Sequence, residues 1–169
     1  MQARIRGSLI MALSNQFGGF VLSTGNKSEI AVGYCTLYGD MVGALSPIGD
    51  LYKHEVYDVS AFLNKDHPTI PTQVYSRPPS AELRKDQKDQ DSLPPYETLD
   101  AILKMLIEKN SSYQQICSQG FDSSLVKEIF DKYHQAEFKR FQAAPILKLS
   151  RKSFGSGRLF PLARQSYED

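Results

Sequence analysis

Ser23-Thr-Gly-Asn-Lys-Ser-Glu29 follows the apolar triplet Phe20-Val21-Leu22 and precedes Ile30-Ala31, and the reading of this stretch decides the fold. A short apolar run bounded by turn residues is the pattern of a buried parallel strand. The polar turn after it opens a short helix over residues 28–34, with Ile30, Ala31 and Tyr34 available to pack. Upstream, Ile5, Leu9, Leu13 and Phe17 recur every fourth residue. That spacing predicts an amphipathic helix over 2–16, which Gly18-Gly19 ends. Helix, strand, turn and helix is α/β grammar, in which ligands sit beyond the carboxyl ends of strands. The first helical pattern begins at once, without an N-cap, as expected of a chain cut from something longer. One strand cannot make a sheet, so its partner strands are expected outside the chain or in another copy.

Downstream, Gly39, Gly43, Pro47 and Gly49 mark residues 36–50 as loop. Val56, Val59, Phe62 and Leu63 predict a helix from Lys53 to Leu63. Asp66 to Pro95 holds six prolines and the mixed-charge run Glu82–Asp91. It is too long for a plain connection and reads as a functional lid or a disordered stretch. Pro94-Pro95 leads into a helix over 96–109 whose stripe is Leu99, Ile102, Leu103, Leu106 and Ile107. A short helix around Tyr113–Ser118 stops at Gly120. Asp122-Ser123-Ser124 then caps a helix over 125–142, with Leu125, Ile129, Tyr133 and Ala136 on one face. From Pro145 the chain becomes basic and glycine-rich, and Ser153–Gly157 reads as a flexible turn. There is no internal repeat.

Bulk properties narrow the class. The chain has 169 residues, 41% of them apolar and 23% charged, as in a soluble globular domain with a real core. A formal net charge of +1 gives no global field for nucleic acid or membrane. No apolar run approaches the ~20 residues of a membrane span, and the N-terminus lacks the pattern of a signal peptide. Cys35 and Cys117 read as free thiols in a reducing compartment, and the expected location is cytoplasmic. His54, His67 and His134 have no metal spacing and receive no role. Residue chemistry leaves Thr24–Glu29 open between two readings. One is a strand-to-helix cap. The other is a ligand site, where helix N–H groups favour an anion, Thr24 donates to a phosphate or adenosine, and Glu29 holds magnesium.

Several strings, in order and spacing, carry a resemblance: Gln2-Ala-Arg-Ile-Arg-Gly7, Met11-Ala-Leu-Ser-Asn15, Thr24–Glu29, Gly33-Tyr-Cys-Thr-Leu-Tyr-Gly-Asp40, Arg77-Pro-Pro-Ser-Ala-Glu-Leu83, Asp89-Gln-Asp-Ser-Leu-Pro-Pro-Tyr96 and Glu137-Phe-Lys-Arg140. Together they resemble the glutamine-dependent NAD synthetases, over nearly the whole chain. The resemblance implies an adenine-nucleotide α-hydrolase-like parallel sheet with flanking helices, represented by its helix-rich C-terminal part. It implies a ligase that adenylates deamido-NAD with ATP and magnesium and lets ammonia, made from glutamine by a separate domain, displace AMP. It also implies a homo-oligomer.

By the same resemblance, Thr24, Lys53 and Ser80 stand on the ATP. Glu29, Tyr34, Cys35, Thr36, Leu37, Asp40 and Lys139 lie along the deamido-NAD, with Glu29 also near magnesium. Residues 66–95 are the lid. No catalytic acid, base or nucleophile is assigned. Two features of the family are missing from the 169 residues: the Ser-Gly-Gly…Asp-Ser pyrophosphate loop, and the Glu, Lys and Cys of the glutaminase domain. The chain alone is therefore expected to be inactive. A non-catalytic nucleotide-binding or dimerisation module built on the same fold stays open beside the enzyme. Without the resemblance, Lys139 and Arg140 read as solvated helix charges.

Overall fold

The computed structural model describes residues 1–81, 83–155 and 157–162. Glu82 of the mixed-charge run and Ser156 of Ser153–Gly157 lie outside the described residues. The helices, in chain order, are α1 (Gln2–Phe17), α2 (Lys27–Ala31), α3 (Lys53–Leu63), α4 (Gln73–Ser76), α5 (Tyr96–Ile107), α6 (Tyr113–Cys117), α7 (Ser123–Gln135) and α8 (Glu137–Arg140), with a 3₁₀ turn at Asp89–Asp91.

α5 is the centre of the core. Its stripe of Leu99, Ile102, Leu103, Leu106 and Ile107 is buried, as the three-and-four spacing predicts. Burying each such side chain stabilises by about 1.5–3 kcal/mol. α2, α3 and α6 pack on α5, and α7 packs on α6 through Val126, Ile129 and Tyr133. The Asp122 carboxylate accepts the Leu125 N–H at 2.9 Å and caps α7 as expected. The expected 125–142 helix is broken at Ala136 into α7 and α8. The break turns Arg140 inward, and this overturns its reading as a solvated charge. Its guanidinium donates to Glu137, Ala31 O and Tyr133 O, and it lies over the rings of Tyr133 and Phe154.

The strand reading needs correction. Phe20 is 87% and Leu22 53% exposed, so the triplet is not buried. Among the described residues, pairing is confined to one parallel bridge, Leu22 with Leu45, followed by a second, Ser46 with Ile146. The partner of the triplet thus lies inside the chain, in the stretch that glycine and proline content marks as loop. Gly43 is what allows the approach. A Cβ there would come within 2.9 Å of Ser23 N and Val21 O.

Two further expectations change. α1 forms and ends at Gly18, at φ 74°, but its stripe does not pack: Leu9 is 60% and Phe17 75% exposed, and Gly7 is its one buried residue. The outer stripe of α3 is open as well, with Phe62 74% exposed. The C-terminal stretch is not a loose turn. Ser153 and Phe154 are buried, and Phe154 joins the core. Cys35 and Cys117 are free thiols. Among the described residues no helix is long and apolar enough to cross a membrane.

Lys27, fully buried at the start of α2, pins these parts together. Its ammonium pairs with Asp50 at 2.9 Å and Glu108 at 2.6 Å, and donates to Ser150 Oγ and Lys152 O. Burial pushes the Asp50 carboxyl up. The Ser150 N–H, the Lys27 ammonium and the Leu149 N–H together outweigh it and hold the group below its ordinary value. A carboxyl depressed in the folded state contributes stability above its unfolded pKa, and loses it as pH falls through the folded pKa. Stability should therefore decline below about pH 4. In Asp50→Asn the protein should be less stable at pH 7, and that difference should shrink on acidification, as read by urea unfolding at each pH.

Candidate functional site

Residues 33–40 form an irregular strap between α2 and the Leu45 bridge. Gly33 takes φ 68°, and Tyr38 takes φ 61°, a left-handed conformation that costs a non-glycine residue roughly 1–2 kcal/mol. Side chains hold the strap in place. Arg4 Nε donates to Leu37 O at 3.1 Å and Ser23 Oγ to Asp40 O at 3.1 Å. The Asp40 carboxylate accepts the Thr36 N–H at 2.7 Å, and Tyr38 OH donates to Gln142 at 2.7 Å. Lys139, from α8, donates to Gly33 O at 2.6 Å and Cys35 O at 2.8 Å.

Strap and α1 face each other across a half-open cleft of about 510 Å³. α1 contributes Ala3, Arg6, Gly7 and Ile10, the strap Gly33–Thr36 and Gly39–Asp40. Val21, Leu22 and Thr24 close one end, and Ala81, Leu83 and Gln87 line the side formed by the proline-rich stretch. Backbone contact between α1 and the strap is close. A Cβ on Gly7 would stand 2.8 Å from Tyr38 O and 2.9 Å from Gly39 O. Burial pushes the Cys35 thiol up to about 12, against the lowering effect of Lys139, so Cys35 is a neutral wall residue.

Five of the ten residues singled out from the sequence line this cleft: Thr24, Tyr34, Cys35, Thr36 and Asp40. Leu37 belongs to the strap and presents its carbonyl to Arg4. Glu29 and Lys53 form a half-buried pair at 2.9 Å. The other Glu29 oxygen accepts the Asn26 N–H at 3.2 Å, and Asn26 accepts the Glu29 N–H at 3.0 Å, so the capping box of α2 is complete. Lys53 lies over the Tyr96 ring, 5.2 Å from its centroid. Tyr96 OH donates to the buried Asp89 at 2.7 Å, and Gln87 Nε2 to Tyr34 OH at 3.4 Å. Ser80 is half-buried one residue from the cleft wall, and Lys139 is bonded to the strap carbonyls without being one of the lining residues.

Among the described residues no group of three or more His, Cys, Asp or Glu converges for a metal ion. His54, given no role from the sequence, is a strut between α3 and α5. Its Nδ1 meets Asp100 at 2.6 Å and its Nε2 meets Lys104 at 2.8 Å, while Ser28 donates to the other Asp100 oxygen. The residue that sequence reasoning passed over is Arg6. It lines the cleft and has no ion-pair or hydrogen-bond partner among the described residues. The signal was present, because Arg6 lies one helical turn before Ile10 on the same face of α1.

The cleft lies between a helix and a strained backbone strap, with Leu22 of the isolated parallel bridge on its wall. Comparison with known proteins supplies the family. Residues 1–143 match the NAD synthase family model, and the chain belongs to that family. The chain is 52% identical to the glutamine-dependent NAD(+) synthetase of Synechocystis sp. over 164 residues, 97% of this chain and 29% of that protein. It is 47% identical to the Rhodobacter capsulatus enzyme of that name, over 98% of this chain and 32% of the relative. It thus spans about 30% of the length of the curated relatives it matches. Among solved structures, a glutamine-dependent NAD(+) synthetase from Cytophaga hutchinsonii shares the fold at TM-score 0.75 and 23% identity, over 98% of this chain and 28% of that one. The NH3-dependent NAD synthetase of Campylobacter jejuni aligns at TM-score 0.60 and 30% identity, over 86% of this chain and 52% of its own.

The contact of Gly7 with the strap yields a test with a diagnostic sign. Alanine is the better helix former by about 0.8–1.0 kcal/mol. Gly7→Ala should nevertheless destabilise the protein, by roughly 1–3 kcal/mol, because its methyl meets backbone oxygens that cannot yield. Amide exchange in α1 and the strap should rise together. A gain in melting temperature would contradict the packing.

Proposed function

We propose that this chain supplies the dinucleotide-facing cleft for the ATP-dependent amidation of deamido-NAD to NAD in a glutamine-dependent NAD synthetase. One observation carries the reading. Thr24, the strap residues Tyr34, Cys35, Thr36 and Asp40, and Arg6, unpaired among the described residues, share one cleft, and its size suits part of a dinucleotide. Arg6 offers one cation to a ligand whose bridge is a pyrophosphate. ATP lies on the side of Thr24, Lys53 and Ser80. Glu29, Tyr34 to Leu37, Asp40 and Lys139 serve the deamido-NAD side. Ammonia drawn from glutamine is the nucleophile.

Magnesium fits only in part. Glu29 offers a single carboxylate, already engaged by Lys53 and the Asn26 N–H, so an ion there takes its remaining oxygens from phosphates and water. Bound magnesium would offset charge building on the released pyrophosphate. Residues 66–95 act as a lid over the cleft, which the placement of Ala81, Leu83 and Gln87 on its wall supports. The open stripe of α1 supports a homo-oligomer, to be checked by light scattering. The reading carries a cytoplasmic location.

Deamido-NAD titrated into the chain should bind saturably. Arg6→Ala should weaken that binding by about tenfold or more, as loss of a charged hydrogen bond does. With ATP, magnesium and ammonia added, the 169 residues alone should form no NAD. Absence of binding, or equal binding by Arg6→Ala, would remove the assignment. Protease cleavage within 66–95 should slow when ATP and deamido-NAD are both present. Equal cleavage with and without them would leave the stretch as a connection, not a lid.

A further inference from the structure

The N-cap residue of α3, Tyr52, makes no side-chain capping bond, so the first N–H groups of the helix need acceptors from elsewhere. Glu55 takes the Tyr52 N–H at 2.9 Å, from within the same turn. Other helices take the next two. Lys53 N–H donates to Ser28 Oγ of α2 at 2.9 Å, and His54 N–H to the Asp100 carboxylate of α5 at 3.1 Å. That same Asp100 oxygen meets His54 Nδ1 at 2.6 Å, and the Ser28 hydroxyl donates to the other one. Ser28 is fully buried and Asp100 2% exposed, so water offers no substitute for these bonds. One carboxylate thus fixes the backbone at two points, at Ser28, the residue before Glu29, and at the step from Lys53 to His54. The Glu29 carboxylate and the Lys53 ammonium, which branch from those points, meet at 2.9 Å. α5 supports the same seam one turn to either side of Asp100. Tyr96 lays its ring under the Lys53 ammonium, 5.2 Å from the centroid, and Lys104 donates to His54 Nε2 at 2.8 Å and pairs with Glu55 at 2.9 Å.

We infer that Asp100 is a positioning residue: through Ser28 and the first turn of α3 it sets where the Lys53 ammonium and the Glu29 carboxylate stand. Its effect on ATP rests on the functional reading above, which puts Lys53 on the ATP side. Its effect on the Glu29–Lys53 pair does not. A lysine whose root is fixed beforehand meets a phosphate with less side-chain freedom left to lose, and that is the gain positioning brings.

The test compares Ser28→Ala and Asp100→Asn with the parent, in the whole protein without ligand, by the rate at which acetic anhydride acetylates each lysine, read by peptide mass spectrometry. Ser28→Ala severs the link from Asp100 to the Lys53 N–H, and Asp100→Asn removes the charge and one acceptor. Both should loosen the Lys53 ammonium from Glu29 and raise its acetylation by about tenfold or more, the scale of losing a hydrogen bond to a charged group. Buried Lys27 and exposed Lys148 should keep the parent's rates. An unchanged Lys53 rate overturns the proposal. So does a rise that Lys27 shares, because a general loosening of the fold is not positioning. Should Asp100→Asn fail to fold, Ser28→Ala decides under the same criterion. Affinity for ATP with magnesium, by calorimetry, should fall about tenfold in both variants. A raised Lys53 rate with ATP affinity unchanged overturns the effect on ATP and confines Asp100 to the pair. If the parent binds no ATP, the ATP-side reading falls, and acetylation still decides the role of Asp100.

Discussion

The Lys27 ammonium, without contact with solvent, ties α2 to three other parts of the chain. Asp50 comes from the loop after the parallel bridges, Glu108 from the end of α5, and Ser150 and Lys152 from the C-terminal stretch. The Tyr52 ring lies 4.9 Å away and Tyr52 OH donates to Glu108, so an aromatic wall shields the pair. A buried charge is tolerable only when its hydrogen bonds are complete, and removing one partner of such a pair costs about 3–5 kcal/mol. Lys27 is also the first residue of α2. Fixing it fixes the turn before it, with Thr24, and the strap after it.

From that anchor the site follows by short steps. α2 has only five residues and little intrinsic stability, so its two ends are held by side chains. Asn26 and Glu29 cap the first end, and Lys139 and Arg140 satisfy carbonyls at the second. The strap leaves α2 already oriented. Arg4 and the small residues of α1 then set the width of the cleft, since Gly7 and Ala3 let helix and strap backbones meet. Strain at Tyr38 persists because Arg4, Gln142 and Asp40 hold the residues around it.

The proline-rich segment joins this network by a different route. Asp89 is buried under Tyr96, and its backbone N–H donates to Pro79 O at 2.9 Å. Gln87 reaches Tyr34 on the strap. Asn64 ties down the start of the segment through Thr69 and Ile70. Segment and strap thus meet through the Gln87–Tyr34 hydrogen bond, while Leu93 anchors the segment's end in the core.

Local order was legible in the residues. The stripe of α5, the cap at Asp122 and the glycines after Phe17 act within one or two turns, and their spacing alone places the elements. The strings at Thr24–Glu29 and Gly33–Asp40 were singled out by the family resemblance they carry, while local spacing alone left the first between a cap and a ligand site and most of the second a loop. Periodicity reports that a helix has an apolar face but not what covers it, so the stripe of α1 was visible and its lack of a partner was not. Charge burial is equally silent in sequence. Lys27 and Arg140 look like any surface cations until partners 81 and 109 residues away close around them. Helices, turns and family were determined by the sequence itself. Tertiary structure decided which cations are buried, which carbonyls Lys139 grips and where the cleft opens, because those depend on contacts between segments that no local spacing encodes.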